Sequence, residues 1–145
     1  MAKPVNQDLS VNLAPRHSTG LIITNPVILA SGTVAYGDEL NRLLDLSKIG
    51  AIVCKGVTLK PREGNPQPRL SETASGLLNS IGLQNVGAEA VANVLGPRWA
   101  NWPVKVIANI SGETIEEFGE IAAILAVSYT HLRAHETRHD LVCRL

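Results

Sequence analysis

Short apolar runs alternate with amphipathic segments along most of the chain. The runs VILA at 27–30, AIVC at 51–54 and VKVIANI at 104–110 have the length and apolar character of buried strands. After each run, apolar residues recur at helical spacing, which predicts helices over 38–48, 86–95 and 114–125. Strands that alternate with helices predict a parallel sheet with right-handed crossovers, so the expected fold class is α/β.

Polar residues at the ends of the predicted helices indicate where these begin and end. Asp38 and Glu39 fall in the first turn of the first helix, where the helix dipole favours anions, and Gly50 is expected to end that helix. Thr114 is the expected N-cap of the third helix, with Glu117 completing a capping box. The apolar face of the first helix is expected to consist of Leu40, Leu43, Leu44 and Leu46.

Two further segments do not fit the strand–helix repeat. Residues 9–14 and 21–24 are β-prone and flank the turn-forming residues PRHSTG, which predicts a hairpin before the main sheet. Residues 58–85 form a connection punctuated by Pro and Gly that is much longer than an ordinary loop. Such length, together with the ordered-looking stretch SGLLNSIGLQN, favours a functional loop over a merely structural one.

Composition narrows the functional classes. The chain has 145 residues, of which 45% are hydrophobic and 18% charged, and its formal net charge is zero, as in globular proteins that bind neither nucleic acid nor anionic membranes. No apolar run approaches the roughly 20 residues that span a bilayer, and no signal peptide is visible, so a cytoplasmic location is expected. The two cysteines, Cys54 and Cys143, form no metal-spaced pair and are expected to be reduced thiols.

Polar residues lie just beyond the apolar runs, where α/β barrels place their chemistry. Ser31 and Gly32 follow the first run, Lys55 follows the second, and Asn109 lies near the end of the third. A lysine at the end of a buried strand must reach solvent or find an anionic partner. From the residues alone, Ser31 and Gly32 could equally form an ordinary turn, and Asn109 could be a buried amide satisfied by backbone.

Four segments, in this order and spacing, resemble the dihydroorotate dehydrogenase family: NPVILASGT at 25–33, GAIVCKGVTLKPREGNPQPR at 50–69, LLNSIGLQN at 77–85 and VKVIANISG at 104–112. The resemblance runs over 9–126 and is nearest to the B-type of class 1. It implies a (β/α)8 barrel that carries FMN at the C-terminal ends of its strands and oxidises dihydroorotate to orotate in pyrimidine (UMP) biosynthesis. Because such a barrel needs eight units and about 250 residues, the resemblance implies a truncated barrel of one hairpin and three βα units, with an open edge after the third strand.

The resemblance also implies roles for individual residues. The FMN-binding residues would be Ser31, Gly32, Lys55, Gly56 and Asn109. The residues that bind dihydroorotate or orotate would be Lys55, Asn79, Ser80, Ile81, Gly82 and Leu83. The residues of PREGNPQPR would form a rigid loop without a catalytic role.

Partners and activity follow from the same resemblance. A B-type enzyme passes electrons to NAD through a subunit that carries FAD and an iron–sulfur cluster, and it has a homodimeric contact. Members of the family use a cysteine base, which neither Cys54 nor Cys143 matches, so no catalytic residue is assigned and the chain alone is expected to be inactive. A noncatalytic α/β module that binds a small anion or nucleotide through the same loops is the alternative function.

The last segment, 127–145, departs from the family pattern. It contains three of the four histidines and lacks the expected strand pattern. Our hypothesis is that it is the translated read-through of a sequencing adapter that was joined to an interrupted gene fragment. His135 and His139 fall in an H-E-x-x-H motif, which on a helix would bind zinc as in metalloproteases. We expect a chance match and no metal site, because no cleft or third ligand is identified.

Overall fold

The computed structural model describes residues 7–18, 20–128 and 135–136; at 127–128 and 135–136 it describes the backbone only. The strands are β1 (Val11–Asn12), β2 (Ile22–Ile23), β3 (Ile28–Leu29), β4 (Ala51–Val53), β5 (Leu70–Thr73), β6 (Gly76–Asn79), β7 (Lys105–Ile107), β8 (Asn109–Ile110) and β9 (His135–Glu136). The α-helices are α1 (Ser31–Val34), α2 (Asp38–Leu43), α3 (Ala88–Ala90), α4 (Gly96–Trp99) and α5 (Ile115–Ser128). A 3₁₀ turn (Leu46–Lys48) follows α2, and a π-helical stretch (Val91–Leu95) joins α3 to α4.

The central element is a three-stranded parallel sheet with the strand order β3–β4–β7. Ala51 and Ile52 in the middle strand are fully buried, as expected for a strand covered on both faces. The sheet confirms the predicted α/β class and the three apolar runs as its strands. Before it, β1 and β2 pair antiparallel, which confirms the predicted hairpin.

Helices pack against the sheet and enclose the main core. Val91 in the helical segment over 88–99 and Ile121 and Leu125 in α5 are buried against Cys54 and Val57, at the end of the middle strand. The predicted helices over 86–95 and 114–125 are therefore confirmed, the first of them extending to Trp99. The Oγ1 of Thr114 accepts the N–H of Glu117 as predicted, but the Glu117 carboxylate accepts the N–H of Glu113 rather than that of Thr114.

The predicted helix over 38–48 is wrong in its second half. It ends at Leu43, because Leu44 is extended and Asp45 caps the 3₁₀ turn by accepting the N–H of Ser47 at 3.1 Å. Leu43 and Leu44 are consequently 79% and 51% exposed instead of lying on a buried face.

Gly50 has a different role from the predicted helix C-cap. Its N–H donates to the carbonyl of Val27 at 3.0 Å, where the chain enters β4. A side chain at this position would overlap the carbonyl oxygen of Asn25 and lie 3.1 Å from that of Val27. Gly50 is therefore needed for the close approach of β3 and β4.

The long connection over 58–85 contains an element that the sequence pattern did not predict. β5 and β6 form an antiparallel hairpin in which Leu70 pairs with Asn79 and Thr73 pairs with Gly76. Every residue of the two strands is exposed, so burial did not impose an alternating pattern of apolar and polar residues.

A short strand lies within 127–145, although the sequence there lacks the expected strand pattern. β9 pairs parallel to β8, with His135 opposite Asn109 and Glu136 opposite Ile110, so the edge next to the third strand is not entirely open. His135 and Glu136 thus lie in a strand, whereas a zinc-binding H-E-x-x-H motif needs a helix; His139 and Cys143 lie outside the described residues. The described residues hold no cluster of three or more His, Cys, Asp or Glu side chains that could bind a metal. None of the helices in the described part of the chain is long and apolar enough to cross a membrane.

Candidate functional site

The C-terminal ends of the three parallel strands meet at one edge of the sheet, and two of them are linked by side chains. The amide Nδ2 of Asn109, which follows β7, lies 3.4 Å from the hydroxyl of Ser31, which follows β3. Gly56 lies beside them at the end of β4, because a Cβ built there would be 3.7 Å from the Nδ2 of Asn109. Ser31, Gly56 and Asn109, three of the predicted FMN-binding residues, are therefore brought together.

Backbone hydrogen bonds fix the strand ends against each other. The N–H of Cys54 donates to the carbonyl of Ile107 at 2.9 Å, and the N–H of Val57 donates to the carbonyl of Asn109 at 2.8 Å. The N–H of Ser111 donates to Val57 at 2.8 Å. The middle strand thus stays paired with its neighbour on both sides of Lys55 and Gly56, which gives these two residues a rigid support.

Asn109 has a buried oxygen without a partner. Among the described residues, its Oδ1 is the one buried side-chain nitrogen or oxygen that has no hydrogen bond. Rotating the amide by 180° would only exchange the unpaired oxygen for an unpaired nitrogen. An orphaned buried polar atom costs about 1–3 kcal/mol, so in native proteins it commonly marks a place where a ligand or water completes the bonding.

Ser31 and Gly32 do not form the simple turn that their position after a strand suggested. They begin α1, a helix of four residues, and the hydroxyl of Ser31 faces Asn109. No heavy atom lies within 4 Å of a Cβ built on Gly32, so the space beside its backbone is open.

Lys55 lines an open cleft of about 710 Å³. Its N–H donates to the carbonyl of Ala35 at 2.7 Å, which fixes the backbone, and its side chain is partly buried. The other residues that line the cleft are Ala35, Tyr36, Pro61, Arg62, Glu63, Gln84, Asn85 and Val86. Lys55 therefore shares a cleft with Gln84, Asn85 and Val86, which follow the predicted substrate-binding residues in the chain.

That loop is held mainly by Asn65. The Nδ2 of Asn65 donates to the carbonyl and hydroxyl oxygens of Ser80 at 3.1 and 2.8 Å, and its backbone N–H donates to the carbonyl of Ile81 at 3.0 Å. Gly82 has a positive φ of 75°, and a side chain there would lie 2.6 Å from the Asn65 backbone nitrogen. Leu83 also has a positive φ, 54°, and its Cδ1 would be 3.2 Å from a Cβ on Gly56.

Asn79 belongs to the hairpin that leads into the predicted substrate-binding loop. It ends β6 on the exposed hairpin, opposite Leu70. Within 7–18 and 20–128, no side-chain hydrogen bond joins it to Lys55 or Asn109. The structure thus places Leu83 beside Gly56, which in turn lies beside Asn109, and it places Lys55 in a cleft with the residues that follow Leu83.

Arg69 stiffens the same connection. Its guanidinium donates to the carbonyls of Glu63 and Asn65 and, at 2.7 Å, to the side chain of Gln84. Arg62 pairs with Glu113 at the start of α5. Arg69 thus contacts the loop, and Arg62 contacts the third βα unit, although both bonds lie at the exposed surface.

Sequence reasoning missed three residues of the site. Thr58 and Asn85 form a buried hydrogen-bonded pair, and the hydroxyl of Tyr36 accepts the N–H of Val86 at 3.0 Å. Asn85 could have been found as a capping residue, because it comes just before a predicted helix and its Oδ1 accepts the N–H of Gly87. Tyr36 carries no comparable local signal.

Cys54 is buried beneath the strand ends and does not face the cleft. Its side chain is 0% exposed, and this burial raises the pKa of the thiol to about 11, against the weaker opposing effect of the Asn109 N–H. At neutral pH the group is therefore a protonated thiol without access to a substrate.

Comparison with known proteins places the chain in a family. A family model described as dihydroorotate dehydrogenase matches residues 15–133. The catalytic subunit of dihydroorotate dehydrogenase B (NAD(+)) of Desulforudis audaxviator is 51% identical over 106 residues, which are 73% of this chain and 34% of that protein. The subunits of the same name from Geotalea daltonii and Desulforamulus reducens are 49% and 51% identical, over 84% and 81% of this chain and 37% and 38% of their own lengths. The chain thus spans little more than a third of these curated relatives, and it belongs to the dihydroorotate dehydrogenase family.

Proposed function

We propose that this chain forms the first part of the (β/α)8 barrel of a dihydroorotate dehydrogenase catalytic subunit, and that its strand ends hold FMN. The family is flavin-dependent in general, and the unpaired Oδ1 of Asn109 is the observation that carries the cofactor assignment. The open space beside the backbone of Gly32 and the absent side chain of Gly56 would let a planar group approach the strand ends closely. Ser31, Gly32, Lys55, Gly56 and Asn109 would hold the cofactor.

The proposed reaction is the oxidation of dihydroorotate to orotate. Bound FMN supplies the ring that accepts the hydride equivalent. Lys55 contributes a positive charge at the end of β4, which favours an anionic substrate and an electron-rich ring. The loop that includes Asn79, Ser80, Ile81, Gly82 and Leu83 would orient the planar acid through side-chain and backbone hydrogen bonds.

The partners are proposed from the names of the relatives, which are catalytic subunits of a B-type, NAD(+)-linked enzyme. A catalytic subunit of this kind passes its electrons to a second subunit, for which we propose FAD and an iron–sulfur cluster, and it forms a homodimeric contact. The 145-residue chain itself is proposed to be inactive, because neither Cys54, which is a buried and protonated thiol, nor Cys143 matches the cysteine base of the family.

The test is a titration of FMN with the purified chain, followed by quenching of flavin fluorescence. We expect the wild-type chain to bind FMN saturably and Asn109→Ala to bind it about tenfold more weakly. A tenfold change in affinity corresponds to roughly 1.4 kcal/mol of binding free energy. Asn41→Ala is the matched control, because Asn41 is an exposed asparagine on α2, and it should bind like the wild type. Equal affinity of the Asn109→Ala and wild-type chains would contradict the cofactor assignment. FMN binding that orotate leaves unchanged would favour the noncatalytic module.

A further inference from the structure

Thr58 and Asn85 are the two buried polar residues of the described chain, and both are 5% exposed. They lie 27 positions apart, at the two ends of the long connection that follows β4. Thr58 comes two residues after Gly56, and Asn85 comes two residues after Leu83. The pair therefore joins the strand end of the proposed cofactor site to the end of the proposed substrate loop.

The hydrogen bonds of Asn85 use both ends of its side-chain amide. The Oδ1 accepts the N–H of Thr58 at 3.1 Å and that of Gly87 at 2.9 Å. The Nδ2 donates to the carbonyl of Leu83 at 2.8 Å and to the hydroxyl of Thr58 at 2.9 Å. That hydroxyl can accept because its single proton goes to the carbonyl of Lys60 at 2.6 Å. The buried amide is therefore fully satisfied, as a rigid positioning element requires.

The bond to Leu83 is the one that points to function. Leu83 holds a left-handed φ of 54°, which is unfavourable for a leucine and persists only where neighbouring groups impose it. The hydrogen bond that Asn85 donates holds the carbonyl of Leu83, and the side chain of Leu83 packs against Gly56. Without the Asn85 donor, the carbonyl of Leu83 would be free to turn, and the N–H groups around it would lose their direction.

We propose that Asn85, supported by Thr58, is a positioning residue that fixes the backbone of the Ser80–Leu83 loop relative to Lys55 and Gly56. This inference rests on the proposed function, since it concerns how the loop presents itself to orotate. It assigns Asn85 to the orientation of the substrate, with no contact to the substrate itself.

Three variants separate positioning from general stability. Asn85→Asp keeps the size and the acceptor oxygens but cannot donate to Leu83, whereas Thr58→Val removes the hydroxyl and Thr58→Ser restores it. The FMN affinity is measured by fluorescence, and the orotate affinity of the FMN-saturated chain by calorimetry. Asn101→Ala is the control, because the side chain of Asn101 is exposed and bonds only within its own helix end, to Pro97.

We expect Asn85→Asp and Thr58→Val to weaken orotate binding at least tenfold while the FMN affinity changes less than twofold. Thr58→Ser and Asn101→Ala should bind both ligands as the wild type does. Unchanged orotate affinity in Asn85→Asp would overturn the proposal. An equal loss of FMN and orotate affinity together with a lower melting temperature would also overturn it, because it would show a merely structural role.

Amide hydrogen exchange of the ligand-free chain keeps this test independent of the proposed function. If the wild-type chain bound neither FMN nor orotate, the proposed function would fail. Amide exchange alone would then test whether Asn85 positions the loop. Faster exchange confined to 80–87 in Asn85→Asp would support it. Exchange that is unchanged, or faster throughout the sheet, would overturn it.

Discussion

Asn109 and Ser31 meet across the end of the sheet, with the amide Nδ2 3.4 Å from the hydroxyl oxygen, although 78 positions separate them in the sequence. The bond is long, and the other end of the amide has no partner. Asn85 provides the opposite case, since its buried amide has a partner for every donor and acceptor. The two asparagines should therefore respond differently to the same substitution.

Asn109→Ala is expected to change the free energy of unfolding by less than about 1 kcal/mol, because it removes one weak hydrogen bond and one unpaired buried oxygen. Asn85→Ala is expected to lower it by more than about 2 kcal/mol, because four hydrogen bonds are lost and buried N–H groups remain unpaired. Urea unfolding of the ligand-free chains measures both changes. A loss of stability in Asn109→Ala as large as in Asn85→Ala would show that Asn109 is an ordinary structural amide.

Cys54 should make the fold sensitive to alkaline pH. Burial raises the pKa of its thiol to about 11, above the ordinary value of 9.0, so the folded state favours the protonated form. The contribution of this group to stability is therefore complete below about pH 9 and is lost as the pH rises towards 11. The full loss corresponds to roughly 2–3 kcal/mol.

The measurement compares unfolding free energies of wild type and Cys54→Ala at pH 8 and pH 10.5. The difference in unfolding free energy between the two chains should be smaller at pH 10.5 than at pH 8. The effects of groups that titrate in both chains cancel in this difference. In native protein the thiol should also react slowly with an aromatic disulfide reagent and become reactive on unfolding. Rapid reaction of Cys54 in the folded Cys143→Ser chain, which lacks the second thiol, would contradict its burial.

Tyr36→Phe is expected to loosen the end of the long loop. The hydroxyl that is lost accepts the N–H of Val86. Because Val86 is exposed, water can replace the hydroxyl as acceptor, and the free energy of unfolding should fall by about 0.5–1.5 kcal/mol. Amide exchange at Val86 should become faster. The indole N–H of Trp99 donates to the backbone carbonyl of Tyr36 and serves as an internal control, since its exchange should not change. Unaltered exchange at Val86 would show that the hydroxyl does not hold the loop.

Gly50→Ala should be among the most destabilising single substitutions in the sheet. An added Cβ would overlap the backbone carbonyl of Asn25, which cannot move without separating β3 from β4, so we expect a loss of about 3 kcal/mol or more. Gly119→Ala is the matched control in the exposed part of α5, where no atom lies within 4 Å of the new Cβ. It should raise stability by up to about 1 kcal/mol. Thermal unfolding of both variants tests the contrast.

Local patterns were sufficient to predict the parallel sheet, because each strand is a contiguous apolar run with its own breaker residue. They failed at 44–48, where the leucines have helical spacing but the side chain of Asp45 accepts the N–H of Ser47, which starts a 3₁₀ turn instead of continuing the helix. They also failed for β5 and β6, whose exposed side chains leave no burial pattern to detect.

The candidate site was predictable only in part. Ser31, Lys55 and Asn109 could be found because strand ends are visible in the sequence. The pair of Thr58 and Asn85 could not, because nothing local indicates that two polar residues 27 positions apart share one buried network. The same holds for Tyr36, which meets Val86 from 50 positions away.

Two residues other than glycine have a positive φ in the described chain, Ala35 and Leu83, with φ angles of 48° and 54°. Ala35 accepts the N–H of Lys55 and lines the cleft, and Leu83 packs against Gly56. Glycine at either place would relieve about 1 kcal/mol of unfavourable backbone geometry. We therefore expect laboratory selection for heat resistance to accept glycine at these two positions early and, on the proposed function, the selected proteins to bind FMN and orotate more weakly.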